Sequence, residues 1–256
     1  MAQLSIEQIP VLSDNYVYLV HEPRAGVTGV VDPAVAGPML DRLAARGWQL
    51  DWILSTHHHT DHTGGNLELK QATGCRIAGP KKDAARIPGL DVGLVEGDRF
   101  EFGQAAAEIF ETPGHTSGHI SYWFAEAKAL FCADTLFSLG CGRLFEGTPQ
   151  QMWASLSKLA RLPDDALVYC GHEYTQSNAR FALSVDPDNP ALKQRAEEVE
   201  RQRAAGRPTV PTRLGEERAA NPFLRPNDAG IRKNLGLEDA GDAEVFAEIR
   251  RRKDSF

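Results

Sequence analysis

Residues 57 to 62 read HHHTDH, so four imidazoles and a carboxylate fall within six consecutive positions. The apolar run Trp52 to Leu54 ahead of them reads as a buried strand, Thr56 opens a turn, and Gly64-Gly65 leads into a helix. Each of these polar groups must be hydrated or paired, and so dense a cluster at a strand end is hard to justify structurally. A metal resolves the difficulty. Neutral imidazole suits zinc, iron or copper, and the added carboxylate keeps harder divalent ions in play. The spacing His57, His59, then Asp61, His62 could direct two pairs of ligands at two neighbouring ions.

A histidine tract by itself would also suit a surface loop or adventitious metal binding, but three later elements argue for a built site. Thr112-Pro113-Gly114-His115 places a histidine in a tight Gly/Pro turn, where backbone can approach closely. Asp134 directly follows the apolar run Ala129 to Ala133, and His172 follows Leu167 to Cys170. With only eight histidines in the chain, their recurrence at strand ends points to one convergent site. His58 and His119 are expected to support it by hydrogen bonding, His21 to be a surface residue, and Cys132 and Cys170 to be buried beside it.

At 256 residues the chain has room for one large core and a smaller appended domain. Short apolar or β-branched runs alternate with helical patterns up to about residue 172, which predicts a mixed α/β domain. Strands are expected at Ile6 to Val11, Val17 to Glu22, Thr28 to Val31, Trp52 to Thr56, Ala107 to Glu111, His119 to Phe124, Ala129 to Ala133 and Leu167 to Cys170. A helix from Pro149 to about Arg161 is marked by a capping box, Thr148 with Gln151. Beyond His172 the strand-like runs stop. Asn189 and Pro190 open a helix to about Ala205, residues 208–228 read as loop-rich, and a last helix runs from about Ala243 to Lys253. The boundary is therefore placed between residues 1–173 and 174–256.

The composition, 42% hydrophobic and 25% charged, is that of a folded globular protein. A net charge of -7 opposes any mode that neutralises many phosphates, so no nucleic-acid partner is expected. No segment approaches the roughly 20 apolar residues that a membrane helix needs, and the first twenty residues lack the basic start and apolar stretch of a secretory signal. The four cysteines are scattered without a CxxC pair, which suits free thiols in a reducing compartment; cytoplasm is the expectation.

The HxHxDH motif followed by single His, Asp and His resembles the metallo-β-lactamase superfamily, over residues 1 to about 172. That resemblance implies an α/β fold, an αββα sandwich of two mixed sheets with outer helices, and a binuclear centre at one edge. It assigns His57, His59 and His115 to a first metal, Asp61, His62 and His172 to a second, and Asp134 to a bridge between them. GCGRLFEGT (140–148), CGHEYT (170–175), NPFLRP (221–226) and the terminal RRRKDSF further resemble the glyoxalase II family, hydroxyacylglutathione hydrolases, along essentially the whole chain. The family implies two divalent ions, zinc first with iron or manganese also accommodated, and a helical C-terminal domain that binds substrate.

The activity so implied is hydrolysis of S-(2-hydroxyacyl)glutathione, chiefly S-D-lactoylglutathione, to glutathione and D-lactate, the detoxification step for methylglyoxal, by a monomer with a small-molecule substrate. Asp61 would orient the attacking hydroxide and Asp134 would hold the ions together. Arg143, Phe145, Tyr174, Arg250 and Lys253 fall on the family's substrate-contact positions. Some members have Lys and Tyr where this chain has Arg143 and Phe145; the charge survives, but Phe145 has no hydroxyl to donate. Arg250 and Lys253, three apart on a helix, would share a face and meet one carboxylate. Rival readings are a mononuclear iron persulfide dioxygenase of the same fold, a processing nuclease, and a metal-binding module without catalysis. The acidic balance opposes the nuclease, and the helical C-terminal domain opposes the dioxygenase.

Overall fold

The computed structural model describes residues 4–256. They form two compact units: one reaches Thr112 and resumes over Ser117–Ala133, and the other holds Pro113–Thr116 and Asp134–Phe256.

In the first unit, β1 (Ser5–Val11), β2 (Asn15–Glu22) and β3 (Val27–Val31) form an antiparallel meander. The sheet then turns parallel through β4 (Trp52–Leu54), β5 (Arg76–Pro80) and β6 (Val92–Leu94). Parallel neighbours need crossovers: α1 (Gly37–Arg46) joins β3 to β4, the single turn α2 (Thr60–Thr63) and α3 (Asn66–Thr73) join β4 to β5, and a 3-10 turn at Lys81–Asp83 lies between β5 and β6. A second, antiparallel layer runs through β7 (Arg99–Phe102), β8 (Ala105–Glu111), β9 (Ile120–Phe124) and β10 (Ala129–Ala133).

The two layers pack face to face through aromatic rings. Tyr18 meets Phe131 at 5.6 Å between centroids, and Trp52 meets Phe100 edge-on at 4.9 Å. At Gly29 a Cβ would lie 2.9 Å from the Phe102 ring, so glycine is what lets that ring close on β3. The Tyr122 hydroxyl, fully buried, donates to the carbonyls of Ser55 at 3.0 Å and Ala78 at 3.3 Å, tying β9 to the ends of β4 and β5. On the opposite side of the first sheet, α1 turns Met39 and Leu43 inward onto Val17, Leu19, Val30 and Ile53.

The second unit opens with the hairpin β11 (Leu136–Phe137) and β12 (Gly140–Cys141), followed by α4 (Pro149–Leu159) and β13 (Leu167–Cys170). Helices α5 (Thr175–Val185) and α6 (Pro190–Ala204) come next, then β14 (Thr212–Arg213), antiparallel to β13. The chain ends in α7 (Leu214–Ala220), α8 (Ala229–Leu235) and α9 (Asp242–Asp254). Buried Glu217 explains why the hairpin belongs with these helices. Its carboxylate accepts from Ser138 Oγ at 3.0 Å, Leu139 N at 2.7 Å, Thr212 Oγ1 at 2.8 Å and Asn221 Nδ2 at 3.0 Å. Burial pushes its pKa up, and these four donors work against that rise.

Every strand expected from the sequence is present within a few residues, as are the helices opening at Pro149 and Pro190 and the last helix. The stretch 208–228 differs from its loop-rich reading, because it contains α7 and β14. The division into compact units falls at 133/134, since β11, β12, α4 and β13 pack with the helices that follow them. Among the described residues, no helix is long and apolar enough to cross a membrane.

The capping box is made as the sequence predicts: Gln151 N donates to Thr148 Oγ1 at 3.2 Å and Thr148 N to Gln151 Oε1 at 2.9 Å. Thr148→Ala should therefore cost about 1 kcal/mol of stability, read from the midpoint of urea unfolding. An unchanged midpoint would show that α4 does not depend on its cap.

Candidate metal centre

In the first unit the site begins with Asp32, which follows β3 and is buried. Its carboxylate accepts from Thr56 N at 2.8 Å and from Thr56 Oγ1 at 2.7 Å, and it faces His62 Nδ1 at 3.3 Å. The Thr56 hydroxyl, having donated to Asp32, can only accept from His57 Nδ1, 2.9 Å away. The network thus places a proton on Nδ1 of both His57 and His62 and leaves their Nε2 lone pairs for a cation, the arrangement by which outer carboxylates orient metal-binding imidazoles. Asp32, His57 and His62 lie close enough to hold an ion among them, but the bonds that Asp32 already accepts make it the orienting group.

His57 Nε2 also lies 3.2 Å from His59 Nδ1, so two imidazole nitrogens converge. Asp61, in α2, takes a hydrogen bond from buried Asn15 and lies 3.5 Å from His62 Nε2. His58 turns aside to Asp83, at 3.1 Å. His119 receives or donates a bond at Thr112 Oγ1, 2.9 Å away, and stacks on His57 at 4.9 Å between centroids. His21, expected on the surface, is instead half-buried, stacked on Trp48 at 4.1 Å and bonded to Thr28 Oγ1 at 2.9 Å.

The second unit supplies its own donors. Gly114, at φ +150°, makes the turn that presents His115, and a Cβ there would come within 2.7 Å of Met152. His115 Nδ1 donates to the Arg143 carbonyl at 2.8 Å, while its Nε2 faces Asp134 Oδ2 at 3.2 Å. His172 Nε2 faces the other oxygen, Oδ1, at 3.4 Å. With its proton on Nδ1, neutral His115 sets a lone pair against a carboxylate oxygen. A cation bound by both relieves that opposition. Gly142 allows the approach of the following loop, since a Cβ on it would lie 1.9 Å from the Asp134 carbonyl. The seven residues singled out from the sequence thus fall into two sets, His57, His59, Asp61 and His62 in one unit, His115, Asp134 and His172 in the other. Asp32, Thr56 and Asn15 were not singled out. Asp32 carries the same mark as Asp134, a carboxylate directly after an apolar strand; Asn15 carries none.

Around the second set, the Phe145 ring meets His115 edge-on at 5.2 Å and Tyr174 stacks on His172 at 4.7 Å. Arg143, 61% exposed, and buried Arg250 both reach Asp254, at 3.5 and 2.8 Å. Arg250 also donates to the Cys141 carbonyl at 2.9 Å, which holds the turn from β12 into the Arg143 loop. Lys253 is bonded to Ser177 Oγ at 3.2 Å, and its pKa is lowered by burial first and then by Arg250 and Arg143 nearby. Arg251 and Arg252 turn away to Glu248, at 2.7 and 2.8 Å, as the helical spacing requires. All four cysteines are buried free thiols; burial raises Cys141 to about 11.

Face-to-face sheets with histidines and aspartates presented from strand ends define a metal-dependent member of the metallo-β-lactamase superfamily, whose profile matches residues 12–172. The profile of the hydroxyacylglutathione hydrolase C-terminus matches residues 173–256. A curated hydroxyacylglutathione hydrolase of Methylococcus capsulatus is 60% identical over 253 residues, 99% of each chain, and one of Rhodospirillum rubrum is 58% identical over the whole of both. Among solved structures, ETHE1 from Myxococcus xanthus superposes with a TM-score of 0.69 at 25% identity, covering 96% of this chain and 90% of that one. This chain belongs to the hydroxyacylglutathione hydrolase family.

Thr56→Val removes the hydroxyl that Asp32 and His57 share and should weaken zinc binding roughly 10- to 100-fold, measured by competition with a chromogenic chelator. Affinity equal to the wild type would mean that His57 needs no such orientation.

Proposed function

We propose that the chain hydrolyses S-(2-hydroxyacyl)glutathione, chiefly S-D-lactoylglutathione, to glutathione and D-lactate, with two divalent ions. His57, His59 and His115 would hold one ion, Asp61, His62 and His172 the other, and Asp134 would bridge. The observation that carries this reading is the pair of imidazole nitrogens facing the two oxygens of Asp134. Histidine with carboxylate donors suits zinc, and also iron or manganese. Full-length identity to hydroxyacylglutathione hydrolases supports the substrate, and the C-terminal match favours thioester hydrolysis over persulfide oxidation.

Bound divalent ions lower the pKa of water toward neutrality and polarise an acyl oxygen. The protein's part is to aim these events. Asp61 accepts a hydrogen bond from the attacking water and holds its oxygen toward the acyl carbon, and Asp32, through Thr56 and His62, keeps the imidazoles in register. As the C–O bond forms, the water gives up a proton to solvent and the carbonyl π electrons move onto oxygen; collapse of that tetrahedral oxyanion breaks the C–S bond. A cysteinyl thiol has a pKa of about 8.5, so glutathione departs as thiolate without a strong general acid. Residues 1–173 would carry the chemistry, and 174–256 would bind the glutathione moiety together with the loop of Arg143 and Phe145. Arg143, Tyr174 and Lys253 present polar groups to the peptide, Phe145 forms an apolar wall, and Arg250 serves binding through the loop it pins. Buried free thiols fit a cytoplasmic enzyme, and we take it to act as a monomer.

Asp134→Ala should lower metal occupancy and activity together, because one carboxylate serves both ions; full activity with both metals retained would remove Asp134 from the centre. Cys141→Ala should leave turnover within about twofold, since a thiol held at about 11 supplies little thiolate at neutral pH. A stable acyl-enzyme on Cys141 would overturn the mechanism. Lys253→Ala, losing one charged hydrogen bond, should raise KM by about 10- to 150-fold with kcat changed less, against Arg251→Ala as the control on another face. Equal defects in both variants that vanish at high salt would reduce the segment to a diffuse positive surface.

A further inference from the structure

We infer that Asn15 is the positioning residue that locks Asp61 for its work at the second ion. Asn15 opens β2, and only its backbone takes part in the ladder, opposite Val11. Its side chain is buried and reaches 46 residues along the chain. One amide N–H is donated to Asp61 Oδ2 at 3.1 Å and the other to the Asp61 main-chain carbonyl at 3.2 Å. A side-chain amide that holds both the carboxylate and the backbone of one residue fixes the torsion between them.

That restraint matters because of where Asp61 stands. Its side chain is 42% exposed, in a helix of a single turn, and the neighbouring His62 ring lies 3.5 Å away. An aspartate so exposed has several staggered rotamers open to it, and only one keeps Oδ2 on the side of His62. Holding it in that rotamer before metal arrives means that the ordering entropy is already lost in folding and is not charged against binding. His57 and His59 have no bond to Asn15, so the restraint acts on one ligand pair and leaves the other alone.

The inference rests on the binuclear thioesterase reading above, and the experiment separates the two. Zinc binding is followed stepwise by calorimetry on the full-length protein stripped and reloaded, for wild type, Asn15→Leu and Asn15→Ala, alongside kcat and KM for S-D-lactoylglutathione. Expected in both variants is a second ion bound roughly 10- to 100-fold more weakly, a kcat lower by a similar factor at fixed zinc, and a first ion and KM within about twofold of wild type. Second-ion affinity and kcat equal to wild type in either variant would overturn the inference. So would parallel loss of both ions, the mark of a residue that merely supports the fold. A wild-type protein that binds one ion, or releases no thiol, would instead overturn the underlying reading, and does so before any variant is compared.

Discussion

A buried imidazole is tolerated only if both ring nitrogens have partners, and that requirement organises the centre. In His57, His62 and His115 one nitrogen is taken by a protein oxygen, from Thr56, Asp32 and Arg143 respectively. The other nitrogen is thereby turned toward donors that are themselves acceptors: a second imidazole for His57, a carboxylate for His115. A bound cation satisfies such a set. Much of the surrounding architecture can be understood as the means of burying these groups: Tyr122 secures the strand end before Thr56, and Gly114 and Gly142 admit backbone where a side chain would collide.

The same constraint separates the two roles a carboxylate plays here. Asp32 accepts from a main-chain amide, a hydroxyl and an imidazole, and this makes it an orienting group. Asp134 turns one oxygen to His115 Nε2 and the other to His172 Nε2, a set of donors suited to sharing a cation. Both follow an apolar strand, so strand position does not distinguish them; the partners do.

This explains what could be read from the sequence and what could not. The clustered histidines and aspartates are legible because each stands in a local pattern, HxHxDH or a lone His or Asp at a strand end. The capping box at Thr148 was legible because its partners are three residues apart. Asn15 was not, because it looks like any turn residue after Ser13-Asp14 and its partner is remote in sequence. The strands Arg76–Pro80 and Arg99–Phe102 were missed because they are short and their pairing is set by neighbours distant in the chain. What holds the hairpin Leu136–Cys141 is not legible locally, because Glu217 and Asn221 are remote in sequence. Arg250 shows the limit of spacing arguments: the spacing gives its face, but not that its guanidinium is buried and donates to the Cys141 carbonyl and Asp254.

The central claim is the proposal that thioester hydrolysis here depends on two divalent ions. The most direct measurement strips the protein with a chelator, reloads it with measured amounts of zinc, and follows free thiol released from S-D-lactoylglutathione against metal bound per chain. The account predicts no release from the stripped protein and a rate that climbs to its maximum at two ions per chain. Thiol release from metal-free protein, or a rate already complete at one ion, would contradict it.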